Sequence, residues 1–267
     1  MGVDGAIVLN KPAGWTSHDA VAKIRRLAGT KKVGHLGTLD PMATGVLPLM
    51  IGGATRLSQF YVKSTKTYEA VVRFGFATST YDAEGEPVGS ETAPAFSAED
   101  LEQWLTKFRG TFLQTPPSVS AKKIGGVRAY QLARKNVAVE IPPVAVTITT
   151  LTVKDFALPD VTLVVDCSAG TYVRSIADDL GKLAGCGAHL AGLTRTRSGD
   201  FTLDQSLTME RLQTMAQDET LFQAIVPAVE LLPEFPIESV DDVTAGQIRN
   251  GREHLGTLRA EARGQDI

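Results

Sequence analysis

Cysteine is almost absent from this chain: Cys167 and Cys186 are its only two, nineteen positions apart. Neither has a Cys-x-x-Cys partner, so the spacing offers no disulfide framework and no zinc site. Two buried small hydrophobes in a reducing compartment are the expectation. Long apolar runs are missing too. The longest, Val46 to Ile51, is interrupted by Pro48 and falls far short of the roughly 20 residues that cross a bilayer. The opening MGVDGAIVLNKP has acid before base and no h-region with a cleavage site, so a cytoplasmic protein with no membrane partner is expected. Nor is there an excess of positive charge. Lys and Arg number 27 against 30 Asp and Glu, a net charge of −3, which excludes a surface that is basic all over. No Walker loop, His-Glu-x-x-His or Gly-x-Ser-x-Gly occurs, nor a Gly-x-Gly-x-x-Gly after a strand; no metal or cofactor is expected.

What remains is an ordinary globular composition, 43% apolar and 21% charged over 267 residues, enough for one large domain with a small appendage. GAIVLN, from Gly5, reads as a short buried strand ending at Lys11-Pro12. SHDAVAKIRRLAG reads as a helix, with Ser17 as N-cap, Val21, Ile24 and Leu27 on one face and Gly29 as its stop. YEAVVRFGF (68–76) alternates like a strand, and the following TSTYDAEGEPV reads as a polar loop. Ser97 is expected to cap an amphipathic helix through Leu101, Leu105 and Phe108 that ends at Gly110. Residues 114–143, bounded by Pro pairs and rich in Lys, Arg and Gly, read as an excursion from the core. Two alternating strands follow, VTITTLTVKDF and VTLVVDCSAG. Then come a helix from Tyr172 to about Lys182, a Gly/Arg-rich loop AGLTRTRSGD, and helices near 207–216 and 219–230. After LLPEFP (231–236) the composition turns polar, and residues 236–267 read as a small appendage.

The stretch GHLGTLDPMATGVLPL, residues 34–49, holds one carboxylate, Asp40. A turn alone accounts for Asp-Pro cheaply. The neighbouring glycines also permit close approach of a ligand, and the residue before Pro is held extended, which aims its side chain. Between Asp19 and Asp40 lie Lys23, Arg25, Arg26, Lys31, Lys32 and His35 without an acid, and Lys122, Lys123, Arg128, Arg134 and Lys135 repeat the pattern. Two acid-free blocks in a net-acidic chain suggest a surface that tracks phosphates, against the plainer reading of solvated faces. Arg174 stands in the first turn of its expected helix, where the macrodipole disfavours a cation. Either a surface acid or a functional carboxylate would account for it, and Asp40 is the candidate partner. Asp178-Asp179 reads as a solvated or capping pair rather than a metal site, and His18, His189 and His254 read as isolated structural residues.

GHLGTLDPMATGVLPL resembles the signature of TruB-type tRNA pseudouridine synthases, relatives of Cbf5/dyskerin. NKPAGWTS (10–17) resembles the family's Lys-Pro-x-Gly box, KTYEA (66–70) its Lys-x-Tyr strand, CSAGTYVRSIADDLG (167–181) its Gly-Thr-Tyr-x-Arg motif and GCGAHLAGLTRTRSG (185–199) the segment after it. The resemblance implies an α/β (α+β) fold around a central, mainly antiparallel mixed sheet. It also implies a catalytic domain over 1–235, a thumb insertion at about 112–143 and a shortened PUA-like segment over 236–267 with a reduced grip on the acceptor stem. Val119 stands where the thumb usually has an aromatic residue. The implied function is isomerisation of uridine to pseudouridine in the tRNA T-loop, at position 55, by a monomer without a cofactor. Asp40 would be the nucleophile, Arg174 its partner and Tyr68 the ring stacked on the flipped base. His35 would help order the RNA, and Lys11 would support the site's floor. Together with Lys31, Lys32, Lys122, Lys123, Arg128, Arg134 and Arg195 they complete the implied RNA contacts. A tRNA-binding or RNA-folding module with secondary or no catalysis is the alternative, and a hydrolase using Asp40 with His35 lacks a second well-placed carboxylate or triad order.

Overall fold

The computed structural model describes residues 4–117, 123–124, 127–128 and 141–253. In chain order the elements are β1 (Gly5–Lys11), α1 (Ser17–Leu27), β2 (Val33–His35), β3 (Thr44–Ile51), α2 (Ser58–Tyr61), β4 (Lys66–Phe74), β5 (Ala77–Thr78), β6 (Pro87–Val88), α3 (Ala98–Leu105) and β7 (Gly110–Gln114). They continue with β8 (Lys123–Ile124), β9 (Val127–Arg128), β10 (Val144–Ala157), β11 (Asp160–Cys167), α4 (Val173–Ala184), β12 (Ala188–Ser198), β13 (Phe201–Thr202), α5 (Met209–Gln217), β14 (Val226–Pro227) and α6 (Asp242–Arg249). None of the described helices is long and apolar enough to cross a membrane.

One sheet organises the molecule, in the order β14-β1-β3-β12-β4-β11-β10-β7, with β13 beside β12 and β2 beside β3. Every pairing is antiparallel except β3 with β12. The mixed, mainly antiparallel sheet flanked by helices is the expected architecture. β1 and β3 are buried along nearly their whole length, because apolar clusters cover both faces there, Ile7 and Leu9 facing one and Ala6 and Val8 the other. Toward β4 the sheet is covered on one face. Lys66, Tyr68, Ala70, Val72 and Phe74 are buried in strict alternation, the period of two that a half-buried strand requires.

Helix α1 begins one residue earlier than Ser17 suggested. Thr16 is the N-cap, closing a reciprocal capping box with Asp19, while Ser17 turns inward and is buried. Ser97 caps α3 through a capping box with Asp100 as expected, but the α-helix gives way at Thr106 to a 3-10 turn. Two expectations fail. AGLTRTRSGD is not a loop, since most of it lies in β12 between β3 and β4. Gly192 falls at a register shift against β4, and Arg195 satisfies its polar end on backbone carbonyls, so composition gave a false signal of exposure. Residues 219–230 are not a helix either. Glu219 sits at φ 59°, and two 3-10 turns flank the short strand Val226–Pro227 that closes the edge of β1. Pro227 is tolerated because an edge position does not need its missing N–H.

Candidate active site

Asp40 lies on the loop between β2 and β3, and the chain around it is pinned from several sides. Ser17 Oγ accepts from the Leu39 N–H at 2.9 Å and donates to the Leu39 carbonyl at 3.1 Å. On the other side the Pro41 carbonyl accepts from Gly14 N–H at 2.8 Å and from Lys11 Nζ at 3.2 Å. Lys11 Nζ also donates to the carbonyls of Pro12 and Trp15. Fully buried, its ammonium is lowered to about 8 by desolvation, which the Asp40 charge partly offsets. The Lys-Pro box and the Asp-Pro loop are therefore one unit, with Lys11 inside its floor. Gly45, where the loop enters β3, has φ 97°, and a Cβ there would sit 2.3 Å from the Arg195 carbonyl oxygen. Only glycine lets β3 and β12 meet in parallel at that point.

Arg174 reaches Asp40 from α4. Its Nε lies 3.0 Å from Asp40 Oδ2 and its Nη1 3.2 Å from Asp82 Oδ2. The Thr80 carbonyl accepts a further bond from Nη1 at 3.2 Å. At 4% exposure the guanidinium is committed to these partners, which explains a cation in a first helical turn. Gln114, at the end of β7, holds that turn in place. Its Oε1 accepts from Tyr172 N–H at 2.8 Å and its Nε2 donates to the Tyr172 carbonyl at 3.0 Å. Burial raises the Asp40 carboxyl above its ordinary range; Arg174 opposes that shift and the nearby Asp82 charge adds to it. The arginine thus works to keep Asp40 ionised, against a larger cost of desolvation.

A cavity of about 280 Å³ opens beside Asp40, lined also by Lys66, Tyr68, Tyr172, Arg174 and Arg195. Its size suits one small planar group, near the lower end of ligand sites at about 300 Å³. Tyr68 forms part of its floor, directly opposite Arg195 across the β4–β12 pairing, and burial raises its phenol above the ordinary value.

The structure brings Asp40, Arg174, Tyr68, Lys11 and Arg195 together. Arg195 is not a surface cation that could grip a phosphate from outside: at 1% exposure it donates from Nε to the Val46 carbonyl and from Nη2 to that of Gly37. Lys31 and Lys32 are exposed in the turn before β2. His35 is half-buried, its ring 5.7 Å from that of His18, which is therefore not isolated. Lys122, Arg134, Val119 and most of the thumb segment lie outside the described residues, as does His254. Lys123 and Arg128 are described only as backbone positions paired across β8 and β9. Asp178 and Asp179 both pair with Lys182. Both cysteines are free and buried. Sequence reasoning missed Asp82, placed in a polar loop yet 2% exposed. Arg174 held the clue, because a guanidinium has five donors and one carboxylate cannot use them all.

A mixed sheet thus presents a loop aspartate to a buried arginine at a cavity that a tyrosine also lines. The fold matches a chain in the crystal structure of a Cbf5-Nop10-Gar1 complex with a TM-score of 0.66 and 31% identity, over 85% of this chain and 61% of that one. It also matches a chain in the structure of an H/ACA RNP bound to a substrate RNA containing 2′-deoxyuridine, with a TM-score of 0.62 and 27% identity, over the same shares. The chain spans less than two thirds of either. Family models match contiguously: TruB family pseudouridylate synthase (N terminal domain) over residues 25–173 and tRNA pseudouridylate synthase B C-terminal domain over 174–232. The chain is 58% identical over 251 residues to the tRNA pseudouridine synthase B of Solibacter usitatus (strain Ellin6076), covering 94% of this chain and 86% of that one. It is 40% identical over 255 residues to that of Bacillus pumilus (strain SAFR-032), covering 93% and 82%. The chain belongs to the TruB family of pseudouridylate synthases, and it is an enzyme, an isomerase.

Proposed function

We propose that this protein converts uridine to pseudouridine in the T-loop of tRNA, at position 55, acting as a cytoplasmic monomer with Asp40 as the nucleophile. The observation that carries the reading is the Asp40–Arg174 ion pair at 3.0 Å, at a cavity whose floor is Tyr68. The reaction breaks N1–C1′, turns the base and joins C5 to C1′, so it needs no redox partner and no group donor. It needs a carboxylate that adds covalently or removes a proton beside a cationic sugar. It also needs a uridine taken out of its stack, at a cost of a few kcal/mol. Stacking on Tyr68 returns about 1–3 kcal/mol. Lys31 and Lys32, with the basic residues of segment 112–143 acting as a thumb, hold phosphates of the T-arm stem-loop.

The test is tritium release from C5-labelled uridine in unmodified tRNA transcript, wild type beside Asp40→Asn. Wild type alone should release label, while Asp40→Asn binds the transcript within a few-fold of wild type. Full release by the variant would refute the nucleophile. Tight binding without release by either protein would favour an RNA-folding role.

A further inference from the structure

Lys66 is the first residue of β4, on the same face as Tyr68, and it lines the Asp40 cavity at 7% exposure. Its ammonium donates to the Ser64 carbonyl, and among the described residues no carboxylate is in ion-pair contact with it or with Arg195. The two cations converge. A Cβ added at Gly37, where φ is 97°, would lie 3.5 Å from Arg195 Nη1 and 3.7 Å from Lys66 Cε. The glycine at 37 therefore leaves Arg195 Nη1 and the Lys66 Cε methylene side by side at the cavity that both residues line. Burying one cation without a counterion is expensive, and burying two side by side is more so. Cations so placed in a cleft mark a candidate site for an anion that arrives during function.

Resting on the reading of this cavity as the uridine site, we infer that Lys66 and Arg195 form an anion subsite for the uracil ring as it leaves the sugar. When N1–C1′ breaks, the electron pair goes to N1 and spreads over O2 and O4, while C1′ is left electron-poor. When C5 bonds to C1′ the pair returns to the new bond, the C5 proton is lost to solvent and N1 takes one up from solvent, so the product is an isomer of the substrate. The charges of the cavity are arranged for that separation. Asp40, Asp82 and Glu84 with Arg174 and Lys11 sum to one negative charge around the aspartate, and Lys66 with Arg195 adds two positive charges along the cavity lining. A neutral uridine gains little from this field in the ground state. The separated pair gains most, which is the condition for lowering a barrier rather than tightening binding. Lys66 is then a catalytic residue, and Arg195, whose Nε and Nη2 are bound to backbone, supplies a fixed charge behind it.

Lys66→Met and Lys66→Arg test this in single-turnover reactions on T-arm transcripts carrying uridine or 5-fluorouridine, with cleavage of the original N-glycoside followed by nuclease digestion and chromatography. Fluorouracil is the weaker base and depends less on external cations. Lys66→Met should slow uridine cleavage by about 100-fold, the scale of losing one oxyanion donor, and slow fluorouridine cleavage clearly less, with transcript affinity unchanged and most of the rate restored in Lys66→Arg. Equal slowing of both substrates, an affinity loss that matches the rate loss, or wild-type rates in Lys66→Met would overturn the subsite. If Lys66→Met does not fold, the pH profiles of wild type and Lys66→Arg decide together. Burial and Arg195 lower the ammonium to about 8, so cleavage should fall as pH rises through that value. Lys11, which burial also lowers to about 8, is told apart by Lys66→Arg: a limb that belongs to Lys66 disappears in that variant and a limb that belongs to Lys11 stays. Burial raises the Cys167 thiol to about 11 and raises the Tyr68 phenol, and Asp40 governs the acid limb. A profile flat across about 8 would refute the subsite. A wild type that converts no tRNA uridine would instead overturn the functional reading beneath it.

Discussion

Arg174 divides its guanidinium between two acids of different standing. Asp40 faces the cavity with its side chain 36% exposed, while Asp82 is enclosed at 3%. Asp82 receives a hydrogen bond from Thr80 Oγ1 and one from Glu84 N–H at 3.1 Å, so it is a fixed anchor rather than a group that turns over. It therefore both orients Arg174 and, by its own charge, raises the Asp40 carboxyl. Asp82→Asn separates these effects. Losing the orienting partner should lower kcat/KM at neutral pH by roughly 10- to 100-fold, the scale for partners that aim a ligand or reacting group from behind. Losing the charge removes a contribution that raises the Asp40 pKa, so Asp40 ionises more readily and the acid limb of the pH–rate profile moves to lower pH. An unchanged acid limb would show that the acids are not coupled.

At the scale of elements, the site is assembled where strand ends meet a helix start. Gln114 closes β7 against α4 through two backbone bonds at Tyr172, and Ser175 Oγ donates to the Thr115 carbonyl at 3.0 Å. Gln114→Ala should remove the acceptor of the Tyr172 N–H, while the Tyr172 carbonyl keeps the Ser175 N–H at 3.2 Å, and cost about 1–3 kcal/mol in urea unfolding. It should also reduce kcat more than transcript affinity, because α4 carries Arg174. An unaltered kcat would mean that α4 is held by its apolar face alone. The same elements show what the sequence could disclose. β4 was legible because one of its faces is buried and alternation follows directly. α3 was legible from Ser97 and its apolar spacing. Arg174 was legible as a misplaced cation, and Asp40 as the lone acid among glycines. β12 was not, since glycines and arginines read as solvent-facing when their partners come from β3 and β4, distant in sequence. Asp82 was hidden for the same reason: loop periodicity is silent, and its burial depends on a helix about ninety residues later.

Across the whole molecule, a net charge of −3 means that nucleic acid must be met by a local face, and the described core sets where that face ends. Leu231 is buried in the cluster around Ala6, Val8 and Tyr61, the Tyr61 hydroxyl accepts from Leu232 N–H at 3.2 Å, and Phe235 meets Phe60 edge-on at 5.6 Å. Among the described residues beyond Phe235, none is buried. Ile237 and Val243 are exposed, and α6 buries none of its residues although Asp241 caps it. We propose residue 235 as the boundary of the catalytic domain. A chain ending there should melt within about 2 °C of the full chain, since surface losses are worth about half a kcal/mol. Its kcat/KM on an isolated T-arm stem-loop should match the full chain. On whole tRNA it should fall below that of the full chain, and the difference should shrink as salt is raised. Calorimetry of both chains and parallel kinetics on the two RNAs measure this directly. A large drop in melting temperature, or an equal loss on both RNAs, would make residues 236–267 part of the catalytic domain rather than an appendage to it.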